Sequence, residues 1–259
     1  MPTLDTLLSG SPITWLLLLA SLLVGLSKGG LPVVGMMSVP ILSLVMSPVL
    51  AAVLLLPIYI LSDIVSVWLY RRDFSAPNLK ILIPAGLLGV FVGWATAAYV
   101  SELAVTLLIG LIGVGFCLNI WLRRAANQHP RPINTAKGLF WGTLAGFTSF
   151  VSHAGAPPYQ VYILPQKLPK LVFAGTSTIL FAVINLAKVV PYSNLHPYAG
   201  STLAVSAGLV PIAIVGTVLG RYLTKKLSEK WFFLAVQLAL FAISLKLVYD
   251  GSQGLLGAN

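Results

Sequence analysis

Two passages carry the side chains with the clearest potential for chemistry: Ser27-Lys28-Gly29-Gly30-Leu31-Pro32 and Ser152-His153-Ala154-Gly155-Ala156-Pro157. Each is followed eight residues after its proline by a second one, Pro40 and Pro165, so the chain contains its own copy of the pattern. In both passages a hydroxyl, a nitrogen base and a glycine interrupt an apolar run. An interruption of this kind is costly in lipid, where every backbone polar group must find a partner, and it points to a site. A helix restarting at Pro32 or Pro157 presents amide hydrogens without intrahelical partners and the positive end of its dipole. Proline suits that first turn, and glycine before it lets a ligand approach the backbone. Lys28, His153, Ser27 and Ser152 add donors, so the chemistry expected is anion binding. The substrate-binding set read this way is Ser27, Lys28, Gly29, Gly30, Ser152, His153, Ala154, Gly155 and Asn185.

Asp63 is the only acid well inside an apolar run and needs a partner if buried. Three readings stand beside one another: pairing with Lys28, carrying a coupling proton, or bonding with Ser62 or Ser66. Asp63 and His153 are the candidates for coupling, because His titrates near physiological pH. Asn185 occupies the matching stretch of the second half and can donate or accept. Lys188, close to Pro191, reads as interfacial, and Lys246 as a residue that snorkels to the outer face.

The elements that position these groups follow from composition. Of 259 residues 58% are hydrophobic and 8% charged, against about a quarter charged in soluble domains. The chain reads as an all-α integral membrane protein. Apolar stretches fall at 13–26, 33–46, 48–70, 81–99, 103–122, 138–151, 156–165, 171–190, 203–223 and 231–248. Several reach the roughly 20 residues a span requires, while the pieces around the two turns are shorter and read as half-helices. The first run lacks basic residues ahead of it and reads as retained structure, and no lipidation motif is present. The lone Cys117 allows no disulfide framework.

The net charge of +10 is distributed as a membrane protein requires, which argues against a nucleic-acid partner. Arg71, Arg72 and Lys80 share one connection; Arg123, Arg124, Arg131 and Lys137 a second; Arg221, Lys225, Lys226 and Lys230 a third. These are cytoplasmic by the positive-inside rule, and both termini are expected outside. Each half is then a broken hairpin followed by three full spans, and the halves are oppositely oriented. The expected organisation is a first inverted repeat over 1–124, a cytoplasmic linker over 125–137 and a second repeat over 138–259. Pro84, Gly89 and Gly93 match Pro211, Gly216 and Gly220, a spacing that serves close helix packing. Inverted repeats with broken helices recur in secondary transporters.

Taken together, the Gly25-Leu26-Ser27-Lys28-Gly29-Gly30 turn, Pro40, the Pro-x4-Gly-x3-Gly span and their echoes in the second half resemble the TauE/SafE family of membrane permeases. The resemblance runs from about Trp15 to Tyr249, and the second turn departs from a Gly-Gly pair at Ala154. It implies movement, usually export, of sulfite and organosulfonates such as sulfoacetate across the bacterial inner membrane. A carrier for such anions suits their permanent charge, and Tyr159, Tyr162 and Phe173 are candidates to line a less polar sub-pocket for an organic tail.

The expected function is secondary transport of small sulfur oxyanions by alternating access. The alternatives are an uptake permease or channel for another small anion and an intramembrane enzyme. The last is disfavoured because Ser152 and His153 are adjacent and do not face each other on a helix. No His-Glu-x-x-His or Gly-x4-Gly-Lys-Ser/Thr motif occurs. No cofactor or metal is expected; the expected partners are the anion and membrane lipids, and the sequence leaves a homo-oligomer open.

Overall fold

A computed structural model describes residues 10–32, 34–46, 48–97, 99, 101–122, 130–195 and 198–256. Arg123, Arg124, His129 and His196 lie outside them, as does the first part of the expected linker. The described residues form helices and no strand: α1 Pro12–Lys28, a 3-10 turn Val34–Met37, α2 Ser38–Leu42, α3 Pro48–Tyr70, α4 Ala76–Thr96 and α5 Glu102–Leu122. The second half continues with α6 Thr135–Ser152, α7 Ala156–Ile163, a 3-10 turn Leu164–Gln166, α8 Lys170–Leu195, α9 Gly200–Lys226 and α10 Glu229–Leu256. Five of these helices, α3, α4, α8, α9 and α10, are long and apolar enough to cross a membrane. The chain is a multi-pass, all-α membrane protein, because only a helix satisfies all its backbone groups within one segment in hydrocarbon.

The elements gather into two compact units, and neither unit is one half of the sequence. The first takes α1 to α3 from the first half and, from the second, α8 from Ala174 onward together with α9. The second takes α4 to α7, the first turn of α8 up to Phe173, and α10.

Within the first unit, α1 lies against α9 with glycines on both sides. A Cβ on Gly216 would come 2.6 Å from the Leu22 carbonyl oxygen, and one on Gly29 would meet the Cα of Gly220 at 2.5 Å. Such distances exclude any side chain, so the two backbones touch. The apolar side of this unit is filled by Leu17, Ala20, Val24, Leu54, Leu55, Ile58, Val205, Leu209 and Ala213. Ser21 and Ser206 donate to the carbonyls of Leu209 and Leu54 on neighbouring helices at 2.8 Å each, which satisfies buried hydroxyls without water.

Within the second unit, α4 lies against α6 by the same device. A Cβ on Gly142 would meet that of Ala85 at 2.8 Å, and one on Gly93 would meet the Phe150 ring at 2.8 Å. The helix-packing role read for Gly89, Gly93, Gly216 and Gly220 is therefore what these positions do. Lipid offers no hydrophobic gain for bringing helices together, so close backbone contact supplies much of the attraction.

The apolar stretch expected at 33–46 departs from a single half-helix. Its described residues, 34–46, hold the four-residue 3-10 turn, the five residues of α2 and the turns after them. Pro32 stands in a turn and starts no α-helix.

Candidate functional site

A helix that stops inside the protein leaves its last carbonyls without intrahelical donors. At the end of α1 each of these has been provided for. The Gly25 carbonyl accepts from Gly29 N–H at 2.9 Å, that of Ser27 from Gly30 N–H at 3.3 Å, and that of Leu26 from Leu31 N–H at 3.4 Å. The Lys28 carbonyl accepts from the Thr178 hydroxyl at 3.2 Å. The Gly29 carbonyl accepts twice, from the Tyr70 hydroxyl at 2.5 Å and from that of Thr224 at 3.3 Å. Gly30 turns the chain at φ +122, a conformation side chains rarely adopt.

The amide donors expected from a helix restarting at Pro32 do not arise in that form: no α-helix starts there, and the Val34 N–H donates to the Leu31 carbonyl at 2.9 Å. The N–H groups of Gly29, Gly30 and Leu31 are engaged by carbonyls of the preceding helix. The Ser27 hydroxyl likewise donates to the Val24 carbonyl at 2.7 Å. Removing one hydroxyl that supports the break, Tyr70→Phe, is expected to cost about 1–3 kcal/mol, the desolvation cost of a buried acceptor that loses a donor. A thermal melt in detergent measures this. Thr224 still reaches the same oxygen, so the lower half of that range is expected.

Lys28 belongs to a buried polar cluster of the first unit. Its Nζ lies 2.7 Å from Asp63 Oδ1, and the two side chains are 5% and 7% exposed. The other carboxylate oxygen, Oδ2, accepts from Asn185 Nδ2 at 2.8 Å. Of the three readings of Asp63, the geometry supports pairing with Lys28. Ser66 donates to the Asp63 backbone carbonyl at 3.1 Å and leaves the carboxylate to Lys28 and Asn185. The Lys28 ammonium also lies 5.0 Å from the centroid of the Tyr59 ring, whose hydroxyl donates to the Gly35 carbonyl at 2.9 Å.

Lys188 completes the cluster and corrects the expectation that it is interfacial. It has no exposed surface and interacts electrostatically with both Lys28 and Asp63. Asn185 and Lys188 are three residues apart on α8 and so share a face. The cluster thus brings two lysine side chains to the neighbourhood of one carboxylate. Burying an ion costs several kcal/mol even after relaxation, which is why Lys28 and Asp63 are found paired.

The second turn belongs to the second unit. After α6 the His153 and Ala154 N–H groups donate to the Ser149 and Thr148 carbonyls, at 3.2 Å each. The Thr148 hydroxyl donates to the Ala154 carbonyl at 3.1 Å, and that of Ser152 to the Thr148 carbonyl at 3.3 Å. His153 takes the left-handed conformation, φ 53, in the place where glycine or asparagine usually closes a helix. Gly155 precedes α7, whose first turn holds both Pro157 and Pro158. Neither proline carries an N–H, so this helix start offers an anion fewer amide donors than the pattern of the sequence implies.

Of the sequence-derived site residues, Lys28, Asp63 and Asn185 come together, with Ser27, Gly29 and Gly30 supporting the turn beside them. Ser152, His153, Ala154 and Gly155 form the turn of the second unit. Tyr159 and Phe173 are buried against one another: the Tyr159 hydroxyl donates to the Phe173 carbonyl at 3.1 Å, and Phe173 packs within a ring cluster against Phe232 and Phe233. Two residues escape sequence reasoning. Gln160 of α7 is wholly buried with neither end of its carboxamide hydrogen-bonded among the described residues, a lone amide in an apolar run being the only signal. Arg221, a loop charge by sequence, lies 2.6 Å from Asp73 and stacks over the Tyr70 ring at 4.0 Å. Among the described residues no group of three or more His, Cys, Asp or Glu side chains could hold a metal.

The model of the family described as sulfite exporter TauE/SafE matches residues 17–247. No curated protein and no solved structure matches the chain. With broken helices, buried charge and a family match over most of its length, the chain belongs to the TauE/SafE family of sulfite exporter membrane permeases.

Proposed function

We propose that this chain is a secondary transporter that exports small sulfur oxyanions, sulfite or an organosulfonate, across the cytoplasmic membrane by alternating access. The observation that carries the reading is the buried cluster of Lys28 and Lys188 with the single carboxylate of Asp63. The two ammonium groups bind the anionic head, Asn185 holds the Asp63 carboxylate, and Asp63 occupies Lys28 before the anion arrives. An arriving anion competes with Asp63 for Lys28. Asp63 then either takes a proton or swings to another partner, which makes it the coupling residue, with His153 of the second turn as the other candidate.

The two halves are read as inverted repeats with both termini outside. Supporting this are the recurrence of a helix break in each half and the use of a glycine-bearing helix to flank each one, α9 beside α1 and α4 beside α6. Export needs no pump, since an inside-negative potential drives a negative charge outward by about 2.3 kcal/mol per 100 mV.

Counterflow of labelled sulfite, sulfoacetate, taurine, sulfate and chloride in sealed proteoliposomes tests the reading. Sulfite or an organosulfonate is expected to exchange chemically unchanged. Lys188→Met is expected to lower that exchange by about 10- to 100-fold, the loss of one charge-assisted interaction. Wild-type exchange in both Lys188→Met and His153→Ala would remove these residues from the mechanism. Equal flux for chloride and sulfite would favour an unselective anion route instead.

A further inference from the structure

The second unit contains a cavity of about 830 Å³ that the transport reading does not use. Its lining includes the exposed Arg131, Lys137, Lys167 and Lys230 with one acid, Glu229, and the rings of Phe116, Trp141 and Phe233. Four cations to one carboxylate is a strong local imbalance, and the carboxylate is already engaged, accepting from the Lys170 N–H at 3.4 Å.

The frame around it is fastened in three places. Arg131 N–H donates to the Pro165 carbonyl at 3.0 Å. The Asn134 side chain caps α6 by accepting from Lys137 N–H at 2.9 Å. Asn78 and Gln166 exchange two amide hydrogen bonds, at 2.9 and 3.2 Å, which fix the 3-10 turn to α4. The basic groups therefore sit on a framework that is already formed.

We propose that this cavity holds an anionic phospholipid, with the phosphate among Arg131, Lys137, Lys167 and Lys230 and the upper acyl chain along Phe116, Trp141 and Phe233. Basic pockets between transmembrane helices on the cytoplasmic side recognise such headgroups, and the charge pattern assigns Arg131, Lys137 and Lys230 to that side. The volume falls in the range of small-molecule sites and exceeds what a small oxyanion needs. An aromatic wall gives a free phosphate nothing, whereas it suits a lipid with charge at one end and hydrocarbon at the other.

The test uses the whole chain, purified and stripped of lipid, then supplied with phosphatidylglycerol or with phosphatidylcholine of the same acyl chains. Native mass spectrometry is expected to show phosphatidylglycerol retained by the wild type and lost at least about tenfold more readily by the double variant Arg131→Gln/Lys230→Gln. Lys246→Gln, at an exposed position on α10, is expected to retain it like the wild type. Brominated phosphatidylglycerol is expected to quench tryptophan emission, and Trp141→Phe to remove most of that quenching. Equal retention of the two lipids, or unchanged retention in the double variant, overturns the proposal. So does displacement of the lipid by free glycerol 3-phosphate at equal concentration, which would make the ligand a soluble phosphate. Displacement by sulfite at concentrations that saturate exchange would assign the cavity to the transport route and overturn it as well.

Discussion

Lys28→Met is expected to abolish anion exchange and to destabilise the protein by about 3–5 kcal/mol, because it leaves the Asp63 carboxylate buried without the ammonium now 2.7 Å away. Lost flux alone would not separate a binding role from a folding one, so the informative variant removes both partners. Replacing a buried ion pair by apolar groups of similar volume is often neutral or stabilising. The double variant Lys28→Met/Asp63→Leu is accordingly expected to melt within about 1 kcal/mol of the wild type while still failing to move sulfite. Asn185 loses its acceptor in that variant, which sets the residual cost. A double variant that is stable and fully active would make the pair a structural feature only, and the proposed site would have to be sought elsewhere. One that is stable and inactive separates the chemistry from the scaffold.

The second large effect concerns the contact between α1 and α9. A side chain at Gly25 would collide with the Ala213 carbonyl, and one at Gly216 would come within 3.1 Å of both the Gly25 Cα and the Leu26 nitrogen. Backbone cannot move aside as a flexible side chain can, so the helices must separate. Gly25→Leu or Gly216→Leu is expected to cost more than about 3 kcal/mol, beyond the usual penalty of overpacking, and to prevent recovery of monodisperse protein. Gly115→Leu is the matched control, since nothing lies within 4 Å of a Cβ there and the position is exposed. It is expected to behave as wild type in size-exclusion chromatography. Equal tolerance of all three substitutions would show that the small residues are incidental to the packing.

These features differ in how far the chain discloses them. The break after Lys28 and the one after Ser152 are legible because hydrophobic runs rarely contain Ser, a base and Gly together, and the glycines of α4 and α9 because their four-residue spacing places them on one helix face. Pairing of Lys28 with Asp63 is one of three readings that the sequence leaves open, and only geometry chooses among them. Lys188 is misplaced by sequence for a definite reason: Pro191 reads as the end of a span, but α8 continues through it to Leu195. Neighbouring helices and side chains can accommodate a proline inside a membrane helix, so its presence does not mark a boundary as it does in water. The helix start expected at Pro32 gives way to a turn and the 3-10 turn Val34–Met37, because proline suits a turn as readily as a first helical turn. The amide donors of the second turn are fewer than the motif suggests because Pro158 follows Pro157 and removes another N–H.

The composition of the two units has a bearing on biogenesis. During synthesis Lys28 and Asp63 emerge in the same half of the chain, on α1 and α3, so two side chains that are each expensive in hydrocarbon can neutralise one another soon after insertion. Asn185 reaches the same carboxylate from 122 positions away, and Lys188 arrives with it. Until the ribosome has delivered α8 and α9, the first unit is a partial bundle whose charges balance. The second lysine of the cluster is thereby introduced last, when its surroundings are ready to receive it.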